Sequence, residues 1–311
     1  MKTTLLMPLA CILAALWMMP CRAQTNQAAA DPANKVTAQG ASLKLISDSF
    51  AFTEGPSADR QGNVFFTDQP NDRIVRWDAG SGVLSDWLKP SGRSNGTYFD
   101  HQGNLLTCAD ESNQLWSITP SGEITVLIKQ VRDKQLNGPN DLWIRPDGGI
   151  YFTDPLYPRD YWERSPAMQQ DGQHVYFLPK GSSKPIQVTQ DLQQPNGLIG
   201  TPDGKKLYVA DIRGRKTYVY QIQEDGQLKD AQLFCEMGSD GMTIDKEGNI
   251  YLTGRGVSVF NPAGEQIEHI PVPSGWTANV TFGGSQRNLL FITASQSVYT
   301  LEMRTRGVDP L

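Results

Sequence analysis

The sequence predicts an all-β fold, a six-bladed propeller, on three observations. A β-rich phrase recurs through the chain, its copies are spaced by about one propeller blade, and no helical periodicity of useful length intervenes. The phrase is a glycine turn, a short run rich in Val, Ile, Phe, Tyr and Thr that ends in a small residue and often Asp, and a second alternating run.

The first copy is Gln61-Gly62-Asn63 with VFFTD, and the second is Gln102-Gly103-Asn104 with LLTCAD. The third and fourth are Asp147-Gly148-Gly149 with IYFTD and Asp203-Gly204-Lys205 with KLYVAD. Glu247-Gly248-Asn249 with IYLTG is the fifth, and Ser285-Gln286-Arg287-Asn288 with LLFIT is a sixth that lacks the turn glycine. Successive turn glycines lie 41, 45, 56 and 44 residues apart. Each unit therefore has room for about four strands, the size of a blade. The early strand Ser42 to Ile46 has no blade before it, and is expected to supply the outer strand of the last blade and close the ring. An open all-β array would leave that edge bare.

The expected organisation is a signal peptide at 1–23, a flexible leader at 24–40 and the propeller at 41–308. Lys2, an apolar run from Leu5 to Met19 and a small residue, Ala23, give the order of a secretory signal. The run is shorter than the ~20 residues of a membrane span. Cys21 offers a lipoprotein alternative, but Met18-Met19-Pro20 is a poor lipobox. A secreted, periplasmic protein is expected. Cleavage would remove Lys2 and Arg22 and take the formal charge from −5 to −7. No basic run or aromatic-basic stripe is present, which argues against nucleic acid as a partner. Of four cysteines, Cys108 and Cys235 would remain, in different blades, as two buried thiols.

A polar residue stands eight positions before each turn glycine: Glu54, Asn95, Asn140, Asn196 and Asp240. Aligning the sixth copy adds Asn279. This phase lies just before the innermost strand of a blade, beside the central axis. Six such side chains would aim oxygens at one small volume, at the channel mouth. Oxygen-only ligands, two of them anionic, suit a hard divalent cation: Ca²⁺ first, then Mg²⁺ or Mn²⁺. The structural alternative is that Asn95-Gly96, Asn196-Gly197 and Asp240-Gly241 are turn-forming pairs. Glu54 and Pro139-Asn140-Asp141 do not fit that alternative.

Other chemistry is sparse. The three histidines, His101, His174 and His269, have no paired spacing, so a His-rich zinc site is not expected. No Gly-x-Ser-x-Gly elbow and no phosphate-binding glycine loop occur. Asp68, Asp110, Asp154 and Asp211 end the second strands on the same face as the metal and are expected chiefly to hydrogen-bond within the loops that follow them. A long aromatic loop follows Asp154 and would form a wall or lid over the mouth, with Tyr157, Tyr161 and Trp162 as candidate substrate contacts. Arg213 and Arg255 in corresponding loops are further candidates, with plain surface roles equally open.

In its ordered motifs the chain resembles the gluconolactonase and senescence-marker-protein (regucalcin-like) family of six-bladed propellers. The pieces are Phe52-Thr53-Glu54-Gly55-Pro56, Leu136-Asn137-Gly138-Pro139-Asn140-Asp141, Pro195-Asn196-Gly197-Leu198, Ser239-Asp240-Gly241-Met242 and Asn279-Val280-Thr281-Phe282-Gly283-Gly284. The resemblance implies one divalent cation bound by Glu54, Asn196 and Asp240, with Asn140 near both metal and substrate. It also implies hydrolysis of a lactone, a sugar (aldono-) lactone, by metal polarisation of its carbonyl. Asp240 is then the first candidate to accept the proton of the attacking water, and Asp141 the second. Asn95 and Asn279 complete the substrate side. Animal members carry Arg two residues before the equivalent of Asn140; Gly138 stands there here, so their substrate contacts do not transfer. Zn²⁺ also stays open as the metal. A binding or scaffolding propeller with a structural metal, or another metal-assisted sugar or ester reaction, are the competing readings.

Overall fold

The computed structural model describes residues 36–308. The expected signal peptide and residues 24–35 of the expected leader lie outside the described residues. Six four-stranded antiparallel sheets surround a central channel. Blade 1 runs through Thr53–Ala58, Val64–Asp68, Arg73–Trp77 and Leu84–Leu88, from the axis outward, and blade 2 through Ser94–Phe99, Leu105–Ala109, Gln114–Ile118 and Ile124–Ile128. Blades 3, 4 and 5 begin on inner strands Leu142–Ile144, Pro195–Gly200 and Met242–Ile244. Blade 6 consists of Thr277–Gly283, Leu289–Ala294 and Ser297–Glu302, and its outer strand is the N-terminal Lys44–Ser47. The ring closes as the sequence predicts, with Lys44 opposite Thr300 and Leu45 opposite Tyr299.

The leader boundary is corrected. Val36 is buried, its N–H donates to Glu268 Oε2 at 2.7 Å, and Thr37 bridges to Met303. The segment 36–40 is therefore docked onto blades 5 and 6, not part of a free leader.

The recurring phrase has a local cause. Asp59 Oδ1 accepts the N–H groups of Gln61 and Asn63, both at 2.9 Å, and its Oδ2 accepts Asn63 Nδ2 at 2.8 Å. Asp100 with Asn104 and Asp245 with Asn249 repeat this clasp. It fixes the turn and thereby the register of the strands that follow. The second strands are buried on both faces, with Phe66, Phe152, Tyr151, Tyr251 and Phe291 all sealed between blades. Each such side chain contributes roughly 1.5–3 kcal/mol of burial. Cys108 and Cys235 are buried and unpaired. No helix of the described residues is long and apolar enough to cross a membrane.

Candidate metal and active site

Of the six polar positions, Glu54, Asn95, Asn140 and Asp240 line one cavity where the inner strands enter the channel, with Asn196 bonded to Asp240 and Asn279 to Glu54. A device that the sequence reading did not contain brings them there. In four blades the inner strand is irregular at this phase: register shifts fall between Glu54 and Ser57, Ser94 and Thr97, Pro195 and Leu198, and Thr277 and Asn279. A bulge re-aims one side chain while the ladder continues. Glu54, Asn95, Asn196 and Asn279 thus sit inside the strands, whereas Asn140 and Asp240 precede Leu142 and Met242 as expected. Threonines of the second strands hold the irregular backbone: Thr67 Oγ1 donates to Asn95 O at 3.1 Å, Thr107 to Gly96 O at 3.1 Å and Thr293 to Asn279 O at 3.1 Å.

The glycines beside the ring have a different role from the turn-forming one that competed with metal binding. Gly96 and Gly241 do not adopt left-handed φ. They are instead points of close approach between blades. A Cβ on Gly241 would lie 1.9 Å from Asn279 Cγ, and one on Gly96 would lie 2.6 Å from Asn140 O. Gly96 N–H donates to Asn140 O at 2.7 Å, and Gly241 N–H to Ala278 O at 2.8 Å.

The mouth opens into a cavity of about 260 Å³ lined by Phe52, Glu54, Gln69, Asn95, Asn140, Tyr157, Arg159 and Asp240. Among the described residues no three His, Cys, Asp or Glu side chains are grouped so that they alone could hold a metal ion. The donor set here is two carboxylates with amides, which the oxygen preference of a hard cation accommodates. Glu54 Oε2 accepts Gly55 N–H at 2.6 Å and Asn279 Nδ2 at 3.2 Å. Asp240 Oδ1 accepts Asn196 Nδ2 at 2.8 Å, and its Oδ2 accepts Trp276 Nε1 at 2.6 Å. Burial, then the neighbouring Asp240, pushes the Glu54 carboxyl well above the usual carboxylate range; burial likewise raises Asp240. Two buried carboxylates that disfavour joint ionisation either retain a proton or are held ionised by a positive partner.

Two orphaned atoms provide the fit test. Asn196 Oδ1 and Asn95 Oδ1 are buried and have no hydrogen-bond partner. Asn196 Nδ2 is already committed to Asp240 and to Tyr157 Oη, each at 2.8 Å, so its amide cannot turn over to relieve Oδ1. A buried carbonyl oxygen left this way costs about 1–3 kcal/mol unless a ligand takes it. Glu54, Asp240, Asn196 and Asn95 therefore fit a divalent cation chemically.

Other candidates lie elsewhere. Asp141 and Asn279 line a smaller cavity of about 40 Å³ deeper in the channel, with Thr97, Leu198 and Thr243. Burial pushes Asp141 up to about 7 against the Leu142 and Leu198 N–H groups that it accepts. Asn279 supports Glu54 and is not part of the mouth lining. Tyr161 and Trp162 pack down onto Asp110, through the phenol to its carboxylate and through Nε1 to its carbonyl at 3.0 Å. Arg213 and Arg255 are exposed and do not line the mouth cavity.

Gln69, Arg159 and Trp276 were not among the candidates. Arg159 had a signal: it lies two residues after Tyr157 in the same loop. Trp276 lies outside the repeating phase and gave none.

The fold and mouth define a class, a six-bladed propeller with an acid-amide ring around its axis. The SMP-30/gluconolactonase/LRE-like family model matches residues 52–296, and the chain belongs to that family. A gluconolactonase of Zymomonas mobilis is 28% identical over 295 residues, 85% of this chain and 82% of that protein. The structure of a gluconolactonase from Xanthomonas campestris superposes with TM-score 0.76 at 29% identity, covering 86% of this chain and 94% of that chain. Calcium-binding regucalcin from Agrobacterium tumefaciens superposes with TM-score 0.72 over 87% of this chain and 97% of its own, at 19% identity.

Proposed function

We propose that the chain is a lactonase that hydrolyses a sugar (aldono-) lactone with the help of one divalent cation, Ca²⁺ first among the candidates. The observation that carries this reading is the buried, unpartnered Asn196 Oδ1, whose amide is bonded to Asp240, while Asp240 and Glu54 line the mouth cavity. Family membership and the two gluconolactonases support the reaction class.

Glu54, Asp240 and Asn196 would hold the cation, with Asn140 and Asn95 on the same wall; when bound, it supplies Lewis-acid polarisation of the lactone carbonyl and stabilises developing negative charge. Asp240 accepts the proton of the attacking water. Its two oxygens are oriented by Asn196 and Trp276, and each keeps a free lone pair. Asp141 is less suited, because it opens on the deeper cavity. Tyr157 Oη accepts from Asn196 and so retains its own hydrogen to donate; burial and the nearby carboxylates keep the phenol protonated. Phe52 and Pro70 supply apolar wall and limit water. The signal at 1–23 supports export, and N-terminal sequencing of the periplasmic protein would test it.

The experiment is pH-stat acid release from a panel of aldono- and alkyl-lactones, before chelation, after it, and after return of Ca²⁺, Mg²⁺, Mn²⁺ or Zn²⁺. Hydrolysis lost with chelator and regained with metal is the expected result. No hydrolysis of any lactone while metal is demonstrably bound would overturn the reading.

A further inference from the structure

The repeated aspartate at the end of the second strand offers an internal comparison. In three blades its carboxylate accepts backbone N–H groups of its own blade. Asp68 takes Ala51 and Phe52 at 3.0 and 3.3 Å, Asp154 takes Asn137 and Gly138 at 2.9 Å each, and Asp211 takes Gln193 and Gln194 at 2.9 Å each. Blade 2 departs from the pattern. There Asp72 Oδ1 accepts the N–H groups of Ser91 and Arg93, at 2.9 and 2.7 Å. Asp110 is thereby released, and its buried carboxylate reaches across to the loop after Asp154. It accepts Arg159 Nε at 3.0 Å, the Tyr161 hydroxyl, and Gln69 Nε2 at 3.4 Å. Arg93 stacks on the Tyr161 ring, 4.6 Å from its centroid, and clamps the same loop.

The result is a fixed guanidinium at the mouth. Arg159 lines the cavity with Glu54, Asn140, Tyr157 and Asp240. Its Nε is committed to Asp110, and among the described residues its Nη groups have no hydrogen-bond acceptor. A planar fork held by its third nitrogen is preorganised to bind two oxygens at once. Because Asp110 already balances the guanidinium charge, and Glu54 and Asp240 share the cavity, the fork suits a neutral oxygen pair better than another anion.

We propose that Arg159 is a substrate-recognition residue that binds a vicinal hydroxyl pair of the sugar lactone through its Nη groups, with Asp110 as its positioning residue. This rests on the lactonase reading for its substrate class. Gly138 leaves space for the loop that carries Arg159. A side chain at 138 has no room, since a Cβ there would lie 2.9 Å from the Trp162 ring and 3.3 Å from Asp110 Oδ1.

The test compares a hydroxylated aldono-δ-lactone with unsubstituted δ-valerolactone, and adds calorimetric binding of the aldonate product. Wild type, Arg159→Met, Arg159→Lys and Asp110→Asn are measured, each checked for Ca²⁺ affinity and melting temperature. Arg159→Met is expected to raise KM for the aldonolactone ~10–100-fold and weaken aldonate binding as much, the range of a lost charge-assisted hydrogen bond. Because the Arg159 charge also acts on Asp240, turnover of δ-valerolactone falls somewhat, but far less than activity on the aldonolactone, and Ca²⁺ affinity does not fall. Arg159→Lys does not restore the KM, because a point charge is not a fork; Asp110→Asn shifts KM in the same direction by less. Equal losses on both lactones, no loss on either, rescue by Lys, or preference for a lactone bearing a carboxylate would each overturn the proposal. If wild type hydrolyses no lactone, the reaction reading falls, and aldonate calorimetry still decides Arg159. An aldonate that binds both proteins equally, or neither, overturns the assignment.

Discussion

Asn196 donates one amide nitrogen to Asp240 Oδ1 at 2.8 Å, and that bond fixes both partners: the carboxylate is oriented, and the Asn196 carbonyl oxygen is left buried without an acceptor's complement. The pair comes from neighbouring blades, 44 residues apart in sequence. A cation that binds both would stitch blade 4 to blade 5.

Removing the carbonyl should therefore cost metal first. Asn196→Ala is expected to weaken Ca²⁺ binding at least as much as loss of an outer-shell partner does, ~10–100-fold. Titration calorimetry on the chelated protein measures it. Unchanged affinity would place the cation away from Asn196.

Asp240→Asn keeps an oxygen for Asn196 or Trp276 but removes the charge and the proton acceptor. Turnover should vanish at saturating metal, with circular dichroism unchanged. Full activity in that variant, measured by pH-stat, would take Asp240 out of the base role.

The close approach at Gly241 gives a stability prediction independent of function. Gly241→Ala places a methyl within 2 Å of Asn279, whose side chain supports Glu54. A loss of about 1–3 kcal/mol is expected from overpacking. Gly80→Ala, exposed and with its nearest atom at 3.5 Å, should be neutral. Urea unfolding of both variants decides whether the ring glycines serve approach or turns.

Much of this was legible because the fold repeats. The glycine-turn phrase, the blade spacing, the closing strand and the polar phase all recur, and recurrence separates a pattern from chance. What was not legible breaks the repeat or crosses it. The bulges at Glu54 and Asn196 change where a residue points without changing its residue type. The docking of Val36 depends on Glu268, more than 200 residues away. Trp276 reaches Asp240 from another blade, and Arg159 is placed by Asp110, whose departure from its three counterparts depends on Asp72. Asn279 and Asp141 share the residue types of the mouth but face a deeper cavity.

The closing strand makes the fourth prediction. Deleting residues 1–47 would leave Ser297–Glu302 as an unpaired edge, after losing the ladder to Lys44–Ser47 and the seal of Val36. Exposed edges template association. The truncated protein should form higher oligomers or aggregate on size exclusion, whereas a form beginning at 36 should elute like the full mature chain.

The last prediction concerns metal and pH together. Burial raises the pKa of both Glu54 and Asp240 in the mouth, so the metal-free fold binds their protons more tightly than the unfolded chain does. The sign follows: their contribution favours folding at low pH and is lost as pH climbs from the unfolded carboxylate range through the raised folded values. The chelated protein should therefore lose stability from these groups as pH rises from about 4, through about 6 for Asp240 and further for Glu54. A bound cation prefers the ionised carboxylates and opposes that loss, stabilising the fold by about 2.7 kcal/mol at a hundredfold excess over Kd. The gap in melting temperature between Ca²⁺-loaded and chelated protein should be small near the unfolded carboxylate range, about pH 4, and widen as pH climbs past about 6. A gap that narrows as pH rises would mean that the cation does not sit on Glu54 and Asp240.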